Sequence, residues 1–69
     1  MSNQFSINLS MLRKEKHIGQ IELAKQLGVS KGIISLWENG LREPTLSSLI
    51  AIADYFDVSL DFLVGRKDF

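Results

Sequence analysis

The stretch from Gln20 to Gly40 leaves this chain the least freedom. Leu23, Ala24 and Leu27 fall at i, i+1 and i+4, one face of a helix, which predicts a helix from Gln20 to Leu27. Gly28 takes a positive φ at little cost, so it ends that helix and lets the chain turn sharply. Val29 is apolar and plugs the turn. Ser30 is a good N-cap, because its hydroxyl accepts a bond from an orphan N–H of the next helix. That second helix is expected from about Lys31 to Asn39, with Ile34 and Trp37 facing inward, and Gly40 stops it.

Two short helices joined in this way form a helix-turn-helix, whose second helix can enter the major groove of DNA. At about 100° per residue, inward Ile34 and Trp37 leave Lys31, Gly32, Ser35 and Leu36 facing out, with Ile33 at the border. Lys31 can donate to guanine O6 or N7, or to phosphate. Gly32 lets the helix approach the bases closely. Ser35 can donate or accept, and contact with a thymine methyl gives Leu36 a reason to be exposed. Gln20 lies at a helix start, where N–H groups and the dipole favour an anion. Ser30 serves as a cap and is also in a position to touch phosphate. Trp37 is assigned to the core rather than to base stacking, because the helix needs a buried face.

The ordered set Gln20-x-Glu22-Leu23-Ala24, Leu27-Gly28-Val29-Ser30 and Ile34-Ser35-x-Trp37-Glu38-x-Gly40 resembles the phage-repressor (lambda repressor/Cro-like, XRE) family. The similarity continues through Pro44, Leu49, Ile52-Ala53, Val58-Ser59-Leu60 and Leu63, and covers roughly Leu9 to Val64. The resemblance implies an all-α, five-helix, lambda-repressor-like domain that binds double-stranded DNA and regulates transcription, most simply as a repressor. It implies that Gln20 contacts phosphate or a base edge, that Arg13 pairs with Glu38, and that Asn39 and Arg42 lie along the sugar-phosphate backbone. It also implies a homodimer through helix five and the C-terminal tail, with Tyr55, Phe62 and Phe69 as candidates for burial between subunits. Such a dimer sets two recognition helices about 34 Å apart on a near-palindromic operator. The family often places glutamine, asparagine or arginine on the groove face. This helix carries fewer such groups, so shape readout and Arg42 are expected to contribute.

Outside the central stretch, Ser6 is a candidate cap for a first helix running to about Lys16, with Phe5, Leu9 and Leu12 on one face. Arg13, Lys14 and Lys16 suit the negative end of its dipole. For Lys14 and Lys16, attraction to phosphate is an equal alternative. Ile18 belongs to the core, and His17 is an exposed linker residue or a weak neighbour of phosphate. Glycine at position 19 caps almost as well as serine. Pro44 cannot sit inside a helix, so Thr45 is expected to cap helix four. Leu46, Leu49, Ile50, Ile52, Ala53 and Phe56 give that helix a broad apolar face. Ser59 caps a last helix with Leu60 and Leu63 inward, and Gly65 ends it.

The 69 residues are expected to form a single domain, 1–69, without linker or repeat. A chain this size buries only about 60% of its unfolded surface, so its stability margin is small. The net charge is zero, but its distribution is not even. Up to Lys31 the chain carries Arg13, Lys14, Lys16, Lys25 and Lys31 against Glu15 and Glu22. Beyond it, Arg42, Arg66 and Lys67 face Glu38, Glu43, Asp54, Asp57, Asp61 and Asp68. A basic half can therefore face phosphate. There is no cysteine, and the only histidine is His17, so no metal site or cofactor is expected. No catalytic set assembles, which argues against an enzyme. The N-terminus does not read as a signal peptide, and no apolar run approaches a membrane span, so a cytoplasmic location is expected. The rival reading is a protein-interaction module, such as an antitoxin-like partner, with incidental DNA binding.

Overall fold

The computed structural model describes residues 3–67 and is helical throughout its regular structure. Five helices follow one another: α1 Gln4–Glu15, α2 Gln20–Leu27, α3 Lys31–Glu38, α4 Leu46–Phe56 and α5 Leu60–Leu63. Helix α2 has the expected bounds. Helix α3 stops one residue short of expectation, with Asn39 as its C-cap. Helix α1 starts earlier than Ser6, because the cap is Asn3, whose Oδ1 accepts from the Ser6 N–H at 2.9 Å. Ser6 is instead buried, and its hydroxyl donates to the Trp37 carbonyl at 2.6 Å. Ser30, Thr45 and Ser59 cap α3, α4 and α5 as anticipated, each accepting from the N–H three residues on.

One device ends all five helices. The residue after the C-terminal turn takes a left-handed φ, and the next N–H reaches back five residues: Ile18 to Arg13, Val29 to Ala24, Leu41 to Leu36, Val58 to Ala53 and Arg66 to Asp61. Glycine holds the left-handed position after α2, α3 and α5, but His17 (φ 58°) and Asp57 (φ 56°) hold it after α1 and α4. A side chain there costs roughly 1–2 kcal/mol. Gly28 (φ 71°) has nothing within 4 Å of where a Cβ would stand, so strain alone sets the effect of Gly28→Ala. Gly28→Ala is expected to lose about 1 kcal/mol, and His17→Gly to gain about half of that, since glycine adds unfolded-state entropy. Urea denaturation of the two variants checks this, and equal signs would refute it.

The helices pack α1 on α3 and α5, α2 on α3 and α4, and α4 on α5. Leu9, Leu23, Ile34, Ile52 and Leu63 are completely buried at the centre, with Phe5, Leu12, Ala24, Trp37 and Ala53 around them. Phe5 meets Trp37 edge to face at 6.4 Å, joining α1 to α3. Ile18, Leu27, Val29 and Leu49 lie against this cluster, half-buried. Three apolar residues assigned to the interior lie in solvent: Leu46 (68% exposed), Ile50 (44%) and Leu60 (41%). Helical periodicity told which face of α4 and α5 is apolar, but that face is broader than the neighbouring helices can cover. Asn8 is the second buried polar side chain. Its Nδ2 donates to the carbonyls of Phe62 and Leu63 at 2.9 and 3.2 Å, so α1 satisfies the open C-terminal end of α5.

Candidate nucleic-acid interface

The outward side of α3 is positioned by what lies beneath it. Ile34 and Trp37 are buried, and Ile33 rests half-buried against the core at the border of the face. Opposite them, Lys31 and Gly32 are exposed, as are Ser30, Asn39 and Arg42 at the two ends of the helix. Ser35 and Leu36 are half-buried rather than fully exposed. Leu36 is thus less anomalous than its sequence position suggested. The turn behind this face depends on Gly28, and Val29 fills it from the inside.

Several of the polar groups expected at the face already have partners. The Ser30 hydroxyl accepts from the Ile33 N–H at 3.2 Å as the cap of α3. Asn39 Nδ2 folds back on its own helix, donating to the Ser35 carbonyl at 2.9 Å and toward the Ser35 hydroxyl at 3.3 Å. Asn39 therefore closes the end of α3 with its amide instead of extending it freely. Lys31 and Arg42 make no ion pair among the described residues. They are the unengaged cations of this surface. Lys16, one of two lysines offered as phosphate neighbours, has its Nζ 5.0 Å from the centre of the Tyr55 ring, a cation–π contact linking α1 to α4. Lys14 stays exposed.

At the other edge stands Gln20, the first residue of α2. Gly19 precedes it as N-cap, and α2 has no side-chain cap bond, so no side-chain oxygen covers its leading N–H groups. The Gln20 side chain is half-buried, and its Nε2 donates to Glu38 Oε1 at 3.1 Å. Glu38 also receives Arg13: Nε to Oε2 at 2.7 Å and Nη2 to Oε1 at 3.1 Å. Arg13 and Glu38 are thus joined at two points, with side chains only 13% and 7% exposed. The third edge of the guanidinium holds the Ile18 carbonyl at 3.0 Å. Its hydrogen bonds to Glu38 raise the Arg13 pKa above the ordinary arginine value, against the opposing pull of burial. The pairing of Arg13 with Glu38 was implied by family resemblance. The inclusion of Gln20 was not, and no sequence signal points to it. Asn8 did leave a signal: it lies three residues from Phe5 and four from Leu12, a polar group on an apolar face.

Among the described residues no group of histidines and acids could hold a metal ion, and no helix is long and apolar enough to cross a membrane.

Comparison with known proteins agrees with this geometry. The helix-turn-helix family model matches residues 9–63. The HTH-type transcriptional regulator YqaE of Bacillus subtilis is 42% identical over 60 residues, which are 87% of this chain and 52% of that protein. The HTH-type transcriptional activator BcrR of Enterococcus faecalis is 38% identical over 65 residues, 94% of this chain and 32% of that one. The chain therefore spans about half, or less, of the length of these relatives. The P22 c2 repressor, in a crystal structure with synthetic operator 9T, superposes with a TM-score of 0.87 at 30% identity, covering 96% of this chain and all of that one. Family membership, rather than a missing catalytic group, sets an enzymatic reading aside. By sequence and by fold, this chain belongs to the phage-repressor-like helix-turn-helix family.

Proposed function

We propose that this chain is a single sequence-specific DNA-binding domain, 1–69, that regulates transcription from the cytoplasm as a homodimer on a near-palindromic operator. Repression by blocking polymerase is the simplest action, although one relative carries the name of an activator. The observation that carries the reading is the outward face of α3. Two buried apolar anchors hold Lys31 and Gly32 in solvent beside a left-handed glycine turn, in a fold superposable on an operator-bound repressor. In this reading Lys31, Gly32, Ser35 and Leu36 meet base edges. Gln20, with the uncapped start of α2, and Ser30, Asn39 and Arg42 meet the backbone. No cofactor takes part.

The dimer is supported by the apolar side chains that α4 and α5 leave in solvent: Leu46, Ile50 and Leu60. Tyr55 and Phe62, first offered for this role, already pack against their own core, and Tyr55 stacks edge to face on Phe56 at 4.9 Å. Phe69 lies outside the described residues.

Selection of sites from a random duplex library at near-physiological salt tests the reading. An enriched two-fold symmetric motif, with half-sites about one helical turn apart, is expected. Enrichment of nothing, with folded protein, would put the interaction-module reading first. Arg42→Ala is expected to weaken binding on all sequences alike and to lower the salt slope by about one counterion. An unaltered slope would remove Arg42 from the backbone contacts.

A further inference from the structure

Glu38 is the last residue of α3, yet its carboxylate binds the first residue of α2. Oε1 accepts from both Gln20 Nε2 and Arg13 Nη2, each at 3.1 Å, while Oε2 takes Arg13 Nε at 2.7 Å. Arg13 Nη1 meanwhile fixes the Ile18 carbonyl, two residues before Gln20. The glutamine amide thus hangs from an anion that is itself held at two points and is 7% exposed. The orientation of that amide follows from the chemistry. Turned over, its oxygen would face the carboxylate oxygen, and two acceptors would collide electrostatically. A primary amide nitrogen carries two N–H groups, and Glu38 uses one. The second lies in the same plane and is directed away from the carboxylate.

We propose that Glu38 is a positioning residue for DNA binding: it orients the Gln20 carboxamide before DNA arrives, so that the second N–H meets a backbone phosphate. Arg13 completes the device by cancelling a carboxylate charge that would otherwise repel that phosphate. The proposal rests on the reading of Gln20 as a phosphate contact. Its physical content is pre-organisation. A free glutamine on a helix start must surrender its rotamers on binding, whereas this one has surrendered them on folding. The saving is worth roughly two- to tenfold in affinity.

The test is a binding cycle on the full chain with the selected duplex, or a random-sequence duplex at low salt. Gln20→Ala is introduced into the wild type and into the Arg13→Met/Glu38→Leu background. That background removes the anchor and replaces the ion pair with apolar groups. In the wild type, Gln20→Ala is expected to lower affinity by about tenfold, as loss of a hydrogen bond to a charged group. In the background it is expected to lower it by less than about threefold. A loss near tenfold in both overturns the positioning role alone. A wild type that binds no duplex, or a Gln20→Ala loss below twofold, overturns the phosphate contact and the proposal with it. A second readout needs neither DNA nor a variant that folds. In the free wild-type protein, the Gln20 side-chain amide is expected to have an NMR order parameter like that of the α2 backbone. A freely rotating amide refutes the proposal.

Discussion

Arg13→Met is expected to destabilise the domain by about 3–5 kcal/mol, because it leaves the Glu38 carboxylate, 7% exposed, without its guanidinium. The Ile18 carbonyl loses its donor at the same time. A 69-residue domain has roughly 3–10 kcal/mol of stability in all, at about 0.05–0.15 kcal/mol per residue, so this one change consumes much or all of it. A melting temperature lowered by about 15–30 °C is the corresponding observation. The double replacement Arg13→Met/Glu38→Leu is expected to recover at least about 2 kcal/mol of the loss. Two matched apolar groups need no partner, whereas one stranded charge does. Urea denaturation of the two variants decides the matter. A single-variant loss under about 1 kcal/mol would mean that the pair is as weak as a solvated one.

The pH dependence has a definite sign. The folded-state pKa of Arg13 is raised by its hydrogen bonds to Glu38. A raised cationic group contributes its full share of stability below its unfolded pKa, and loses it as pH rises through the folded one. For a guanidinium both values lie far into the alkaline range, so Arg13 holds the α1–α3 junction at constant strength through neutral pH.

Gly32→Glu is expected to move stability and DNA binding in opposite directions. Gly32 is the second residue of α3, and a Cβ there would meet only the Ser30 hydroxyl oxygen, at 3.8 Å. Glycine in a helix is disfavoured by about 1 kcal/mol, and an acidic side chain in the first turn complements the dipole. The variant should therefore be more stable by about 1 kcal/mol. The same carboxylate would project from the exposed face assigned to the groove, where like-charge apposition with the duplex costs several kcal/mol. Affinity should fall by about a hundredfold or more. Thermal melting and fluorescence anisotropy on one preparation give both quantities. A stabilised variant that still binds as the wild type would show that this face does not meet DNA.

The locally encoded parts of the molecule were legible without coordinates. The bounds of α2, the caps Ser30, Thr45 and Ser59, and the left-handed stop at Gly28 depend on backbone groups within a few residues, and short-range chemistry specifies them. The outward placement of Lys31 and Gly32 has the same origin, since buried Ile34 and Trp37 fix the rotation of α3. Family resemblance, rather than spacing, supplied the Arg13–Glu38 pair, whose partners stand 25 residues apart.

Tertiary packing decided the rest. The Ser6 hydroxyl reaches the Trp37 carbonyl rather than acting as the N-cap of α1, and Asn8 closes α5. Lys16 rests over Tyr55, and Gln20 is tied to Glu38. Each contact joins residues on different helices, and helical periodicity is silent about which side chains of two helices meet. Leu46, Ile50 and Leu60 make the same point from the other side. A stripe of apolar residues records what a helix could bury, but how much is buried depends on the width of the surface packed against it.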